Sequence, residues 1–198
     1  MHTYIHMTAT QLLLAPEFRT PSSHGGESQK GKRKTARPLV TKKPMHLVLK
    51  SSQARGSRSF LTKQTARYIQ HLILETGKST GVCIREFANS GNHLHLLVQA
   101  RTKLGFKKFI RIVTGKIAMQ LAGSRKGSAL AKRFWDCAVF TRIVEWGRDF
   151  FGVRKYLIQN RLEALGLVPY RTRNTNDRRR VLPGARSSPT LGVYDAFS

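Results

Sequence analysis

Between Asn92 and Val98 the chain reads Asn-His-Leu-His-Leu-Leu-Val, an apolar run carrying two histidines, His93 and His95, two residues apart. The turn-forming stretch Asn89-Ser90-Gly91-Asn92 precedes it, so the run is expected to be a strand that pairs back on its predecessor. Side chains alternate along a strand, and Cα atoms two apart lie only ~7 Å from each other. Both imidazoles therefore leave one face, while Leu94, Leu96 and Val98 leave the other. The leucine face requires a covering layer of helices, and the histidine face is left open for another purpose. Two neutral imidazoles this close can clasp one metal ion. Further along, Tyr156 and Asn160 are four residues apart, so on a helix they share one stripe.

The hydrophobic periodicity supplies the remaining elements. Met45 to Lys50 is a first strand. Residues 61–76 form a helix with Leu61, Tyr68, Ile69, Leu72 and Thr76 on one side, stopped by Gly77. Residues 82–88 and 93–99 form a hairpin. A second helix over 105–122 buries Phe106, Phe109, Ile110, Val113, Ile117 and Leu121, with Lys107, Lys108 and Arg111 facing out. Residues 137–144 form a fourth strand, and a last helix covers 148–164. The order β-α-β-β-α-β predicts an α+β, ferredoxin-like antiparallel sheet with two helices on one face. The additional C-terminal helix has the open sheet face to cover, which would bring Tyr156 over the histidines.

Charge narrows the partner. The chain has 36 Lys plus Arg against 10 Asp plus Glu, a formal net charge of +26. Such a surplus favours a polyanion, because each phosphate contacted releases counterions. No apolar stretch approaches the ~20 residues of a membrane-spanning helix, and residues 11–15 are too short an apolar core for a secretory leader. Cys83 and Cys137 make no CxxC pair and fit a reduced compartment. A cytoplasmic, nucleoid-associated protein is expected. The chain divides into a basic flexible N-terminal arm (1–43), one domain (44–168) and a basic flexible C-terminal tail (169–198).

Taken singly, each candidate residue has an ordinary explanation. A His-x-His strand is more often two half-exposed histidines than a metal site. Tyr156 can pack at a sheet edge with one wet end, and Asn160 can cap a helix. The combination is more specific. Residues 91–98 resemble the His-hydrophobic-His motif of HUH endonucleases, and Tyr156-Leu157-Ile158-Gln159-Asn160 resembles the tyrosine helix of single-tyrosine transposases. Phe134-Trp135-Asp136 and Arg154-Lys155-Tyr156 are similar to insertion-sequence-200-like transposases and their REP-associated tyrosine transposase relatives. Two positions depart from those relatives: Arg161 follows Asn160 where they typically have Pro, and Gly91 precedes Asn92 where they commonly have Pro.

The resemblance implies a domain over 44–168 that cuts and rejoins single-stranded, hairpin-forming DNA through a 5'-phosphotyrosine on Tyr156. It implies that His93, His95 and the Asn160 amide oxygen hold one divalent ion, Mg²⁺ or Mn²⁺, with Gln159 a second-choice ligand. Lys155, Lys107, Lys108 and Arg111 are candidate DNA contacts, and a homodimer is compatible with this reading. Two alternatives stay open: a catalytically silent descendant that binds DNA hairpins, and a basic RNA-binding protein on the same sheet.

Overall fold

The computed structural model describes residues 23–32, 35–123 and 133–170. Its elements are β1 (Ser23–His24), β2 (Met45–Lys50), α1 (Lys63–Thr80), β3 (Val82–Asn89), β4 (His93–Ala100), α2 (Lys103–Ala122), β5 (Phe140–Ile143) and α3 (Arg148–Ala164). The five strands are all antiparallel, in the order β1-β5-β2-β4-β3. Without β1 this is the ferredoxin-like order, so the expected fold class holds.

The leucine face forms the main core. Met45, Leu47 and Leu49 from β2 and Leu94, Leu96 and Val98 from β4 pack against Ile69, Leu72 and Ile73 of α1 and Phe106, Phe109, Val113 and Ile117 of α2. Both helices begin at a threonine cap: Thr62 accepts from the Thr65 amide and Thr102 from the Gly105 amide. Gly77 does not stop α1, contrary to the sequence expectation. It sits where the helix approaches β3, since a Cβ there would lie 2.8 Å from the Val82 carbonyl oxygen. The helix ends instead at Gly81, whose φ of 69° is left-handed.

One other expectation needs correction. The fourth strand is shorter than 137–144, because residues before Phe140 serve a different contact. The Asp136 carboxylate accepts from the Ser52 amide and hydroxyl, Ser51 donates to the Phe134 carbonyl, and the Trp135 indole donates to the Thr114 carbonyl. The Phe-Trp-Asp motif thus ties the chain after β2 to the approach to β5 and α2. Within the expected arm over 1–43, Ser23–His24 pairs with β5, and Arg37 donates to the Val139 carbonyl and the Thr141 hydroxyl. Pairing relieves β5 of an open edge. Residues 1–22 and 171–198 lie outside the described residues, as does nearly all of the expected C-terminal tail.

Candidate active site

β2 and β4 pair with Val48 opposite His95 and His46 opposite Leu97, so His46, His93, His95 and Leu97 share the face away from α1 and α2. α3 covers this face. Val153 and Leu157 pack on Ala88, Leu97 and Val144, and Phe150 and Tyr156 flank them. That small apolar patch seats the helix and sets Tyr156 against the histidines. The ring centroids of His95 and Tyr156 are 5.6 Å apart, edge to face, and those of His93 and His95 are 4.9 Å apart. Asn160 is buried one turn beyond Tyr156, with its amide nitrogen donating to the Tyr156 carbonyl at 2.9 Å. Its oxygen is the ligating end of the group.

Of the residues singled out in the sequence, His93, His95, Tyr156 and Asn160 come from β4 and α3 onto one side of the sheet within a single chain. Gln159 turns to Glu163, donating at 2.9 Å. Lys155 is exposed beside Tyr156 on α3. Lys107, Lys108 and Arg111 do not join the site. They are exposed on α2, which packs on the opposite sheet face.

The residue that sequence reading missed is His46. It is 1% exposed and its ring lies nearly parallel to that of His95, with centroids 5.6 Å apart and planes 15° apart. His46 Nε2 lies 3.4 Å from His95 Nδ1. Burial, followed by the nearby Arg142 charge, pushes the His46 pKa down to about 3, against a smaller opposing effect of Asp149. The alternation Met45-His46-Leu47 was the available signal, since it opposes His46 to two core residues. Arg142 is held by Asp149 through two hydrogen bonds of 3.1 and 2.9 Å, at the N-terminal end of α3 where a carboxylate is favoured.

Among the described residues, no three His, Cys, Asp or Glu side chains are grouped to hold a metal ion. An ion on His93 and His95 would therefore need a donor of another kind, and the Asn160 amide is such a donor. His93 Nδ1 lies 2.5 Å from Asn92 Oδ1, so with that oxygen accepting, the lone pair of His93 is on Nε2.

This is an α+β sheet protein in which the sheet face turned away from α1 and α2 meets a helical tyrosine at a histidine pair. A family model described as "Transposase IS200 like" matches residues 40–158, more than half of the chain, and the protein belongs to that family of transposases. The matched stretch contains His93, His95 and Tyr156 and ends just before Asn160. Similar solved structures include one described as a transposase from Deinococcus radiodurans R1 (16% identity, 65% of this chain and 98% of that chain covered, TM-score 0.39). Another is a REP-associated tyrosine transposase bound to a REP hairpin (11% identity, 83% and 94% covered, TM-score 0.48). No curated protein sequence matches the chain. No helix among the described residues is long and apolar enough to cross a membrane.

Proposed function

We propose that the protein nicks and rejoins single-stranded, hairpin-forming DNA in a divalent-metal-dependent reaction with Tyr156 as nucleophile. The observation that carries this reading is the seating of the Tyr156 ring against His95, with His93 beside it, in a member of a transposase family.

The phenol oxygen of Tyr156 attacks the scissile phosphorus as its proton passes to solvent. The bond from phosphorus to the 3' oxygen breaks, and that oxygen takes a proton from solvent, leaving a 3'-hydroxyl and a 5'-phosphotyrosine. Attack by a 3'-hydroxyl on that linkage reverses the chemistry and joins strands without a nucleotide cofactor. His93, His95 and Asn160 are the residues that would hold the ion, and two nitrogens with one oxygen suit Mn²⁺ and admit Mg²⁺. When bound, the ion supplies Lewis-acid polarisation of a nonbridging phosphate oxygen. α3 contributes orientation: its packing through Val153 and Leu157 fixes which side of the helix presents the phenol.

The net charge of +26 supports a nucleic-acid substrate. Trp146 and Phe151, both about half exposed or more at the start of α3, offer stacking faces for unpaired bases. The test is a denaturing gel of the full chain with labelled hairpin DNA bearing a single-stranded flank, in Mn²⁺. A slow covalent species is expected, lost in Tyr156→Phe and on chelation. Tight DNA binding without any adduct would instead establish a silent hairpin-binding protein, and a preference for RNA indifferent to the histidines would establish an RNA-binding one.

A further inference from the structure

The two candidate ligand histidines are backed at the same ring atom by different partners. His93 Nδ1 faces the Asn92 amide oxygen, and His95 Nδ1 faces His46 Nε2. A histidine that ligates through Nε2 must carry its proton on Nδ1, and that proton is normally taken by a carboxylate, a carbonyl or water. For His95 the facing group is another imidazole. His46 has little freedom to do anything else: Phe140 and Tyr156 flank its ring at steep angles, with centroids 6.4 and 6.3 Å away, and the nearly parallel His95 ring meets it edge to edge through the close nitrogen pair. Its Nδ1 is buried with no hydrogen-bond partner among the described residues, so the hydrogen bond open to it is the one shared between its Nε2 and His95 Nδ1.

We propose that His46 is a positioning residue: its Nε2 accepts the Nδ1 proton of His95, which keeps the lone pair of His95 on Nε2 and fixes the ring as a ligand. The proposal rests on the metal reading of the site given above. A neutral imidazole performs this task without placing a second carboxylate charge under α3, where desolvation would be costly. In the opposite arrangement, His46 donates from Nε2 and His95 carries its proton on Nε2, which disables it as an Nε2 ligand. The two arrangements are chemically exclusive and spectroscopically distinct.

Long-range proton-nitrogen correlation on the metal-free full chain reads the tautomer directly. The expected result is His95 protonated on Nδ1; a wild-type His95 protonated on Nε2 overturns the proposal. Titration with Mn²⁺ alone, followed by the resonance of the free ion, is the second readout. His46→Phe keeps a buried ring but removes the acceptor, and is expected to weaken Mn²⁺ binding by about tenfold or more. His46→Gln returns an acceptor oxygen and is expected to restore most of that loss. Cooperative thermal melts of both variants would exclude a merely structural effect. A wild type that binds Mn²⁺ with His46→Phe unchanged overturns the role of His46 alone. A wild type that binds no Mn²⁺ overturns the metal reading itself. Should His46→Phe fail to fold, the wild-type tautomer still decides.

Discussion

The face of the sheet under α1 and α2 and the face under α3 are built from the same strands, residue by residue in alternation, yet they bury different chemistry. Under α1 and α2 the strands present Met45, Leu47, Leu49, Leu94, Leu96 and Val98 to an apolar layer. Each large side chain fully buried there contributes about 1.5–3 kcal/mol. Under α3 the apolar contact is a patch of five buried residues, and His46, His95 and Asn160 are buried beside it. Buried polar groups cost stability unless paired, so this face sacrifices some stability to hold reactive groups in place. Stability and chemistry are thus separated by the pleat of a single strand.

Leu94 and His95 are neighbours on β4 that point to the two faces, and replacing each in turn tests the separation. His95→Ala is expected to cut covalent adduct formation about a thousandfold, several kcal/mol of barrier, while the protein still melts cooperatively. Leu94→Ala is expected to cost about 3–4 kcal/mol of folding stability, measured by urea unfolding, and to retain the chemistry in whatever fraction stays folded. If His95→Ala destabilises as much as Leu94→Ala, or leaves the adduct intact, the division between faces is wrong.

Acid sharpens the contrast. His46 has a folded pKa of about 3 against the ordinary 6.5, so the native state binds fewer protons than the unfolded chain between those values. The stability this protects is fully present above about pH 6.5 and is lost as pH falls toward 3, at about 1.4 kcal/mol per pH unit. The groups around it are His95, Tyr156, Arg142 and Asp149. In the metal-free protein, His46→Leu should flatten this part of the urea midpoint's pH dependence. Equal slopes for wild type and variant would mean that His46 is not buried neutral.

Which of these features the sequence discloses follows from how local they are. The hairpin strand at His93 and the helix over 148–164 were legible because alternation, a turn and a helical stripe are short-range patterns. So were His93, His95, Tyr156 and Asn160, whose spacings place them on shared faces. His46 was not, because a lone histidine on a strand gains meaning only when register sets it diagonally beside His95. β1 is two residues long and pairs only because β5 is there to receive it. Lys107, Lys108 and Arg111 showed themselves as cations on a helix that the ferredoxin-like order already assigns to the leucine face, and the structure keeps them there, away from the histidines. Gly77 was misread, since the close approach of β3 that requires it is a tertiary fact.

The smallest expected effect concerns how α3 is fastened. Glu86 on β3 is largely buried and meets two arginines of α3, Arg154 Nε at 3.5 Å and Arg161 Nη1 at 3.2 Å, both about half exposed. No comparable charged strap is needed on the other face, where apolar area holds the helices. Because the arginines remain solvated when the carboxylate is removed, Glu86→Gln should cost only about 0.5–1 kcal/mol, and less at high salt. Its signature lies in where the cost falls. Hydrogen exchange should quicken along α3 while the amides of α1 and α2 keep their protection, since local opening there exposes only the smaller apolar patch. Unchanged exchange along α3 would remove the ion pairs from the attachment, and quickening in all three helices would show that the layer carrying Tyr156 is not separable from the layer that stabilises the sheet.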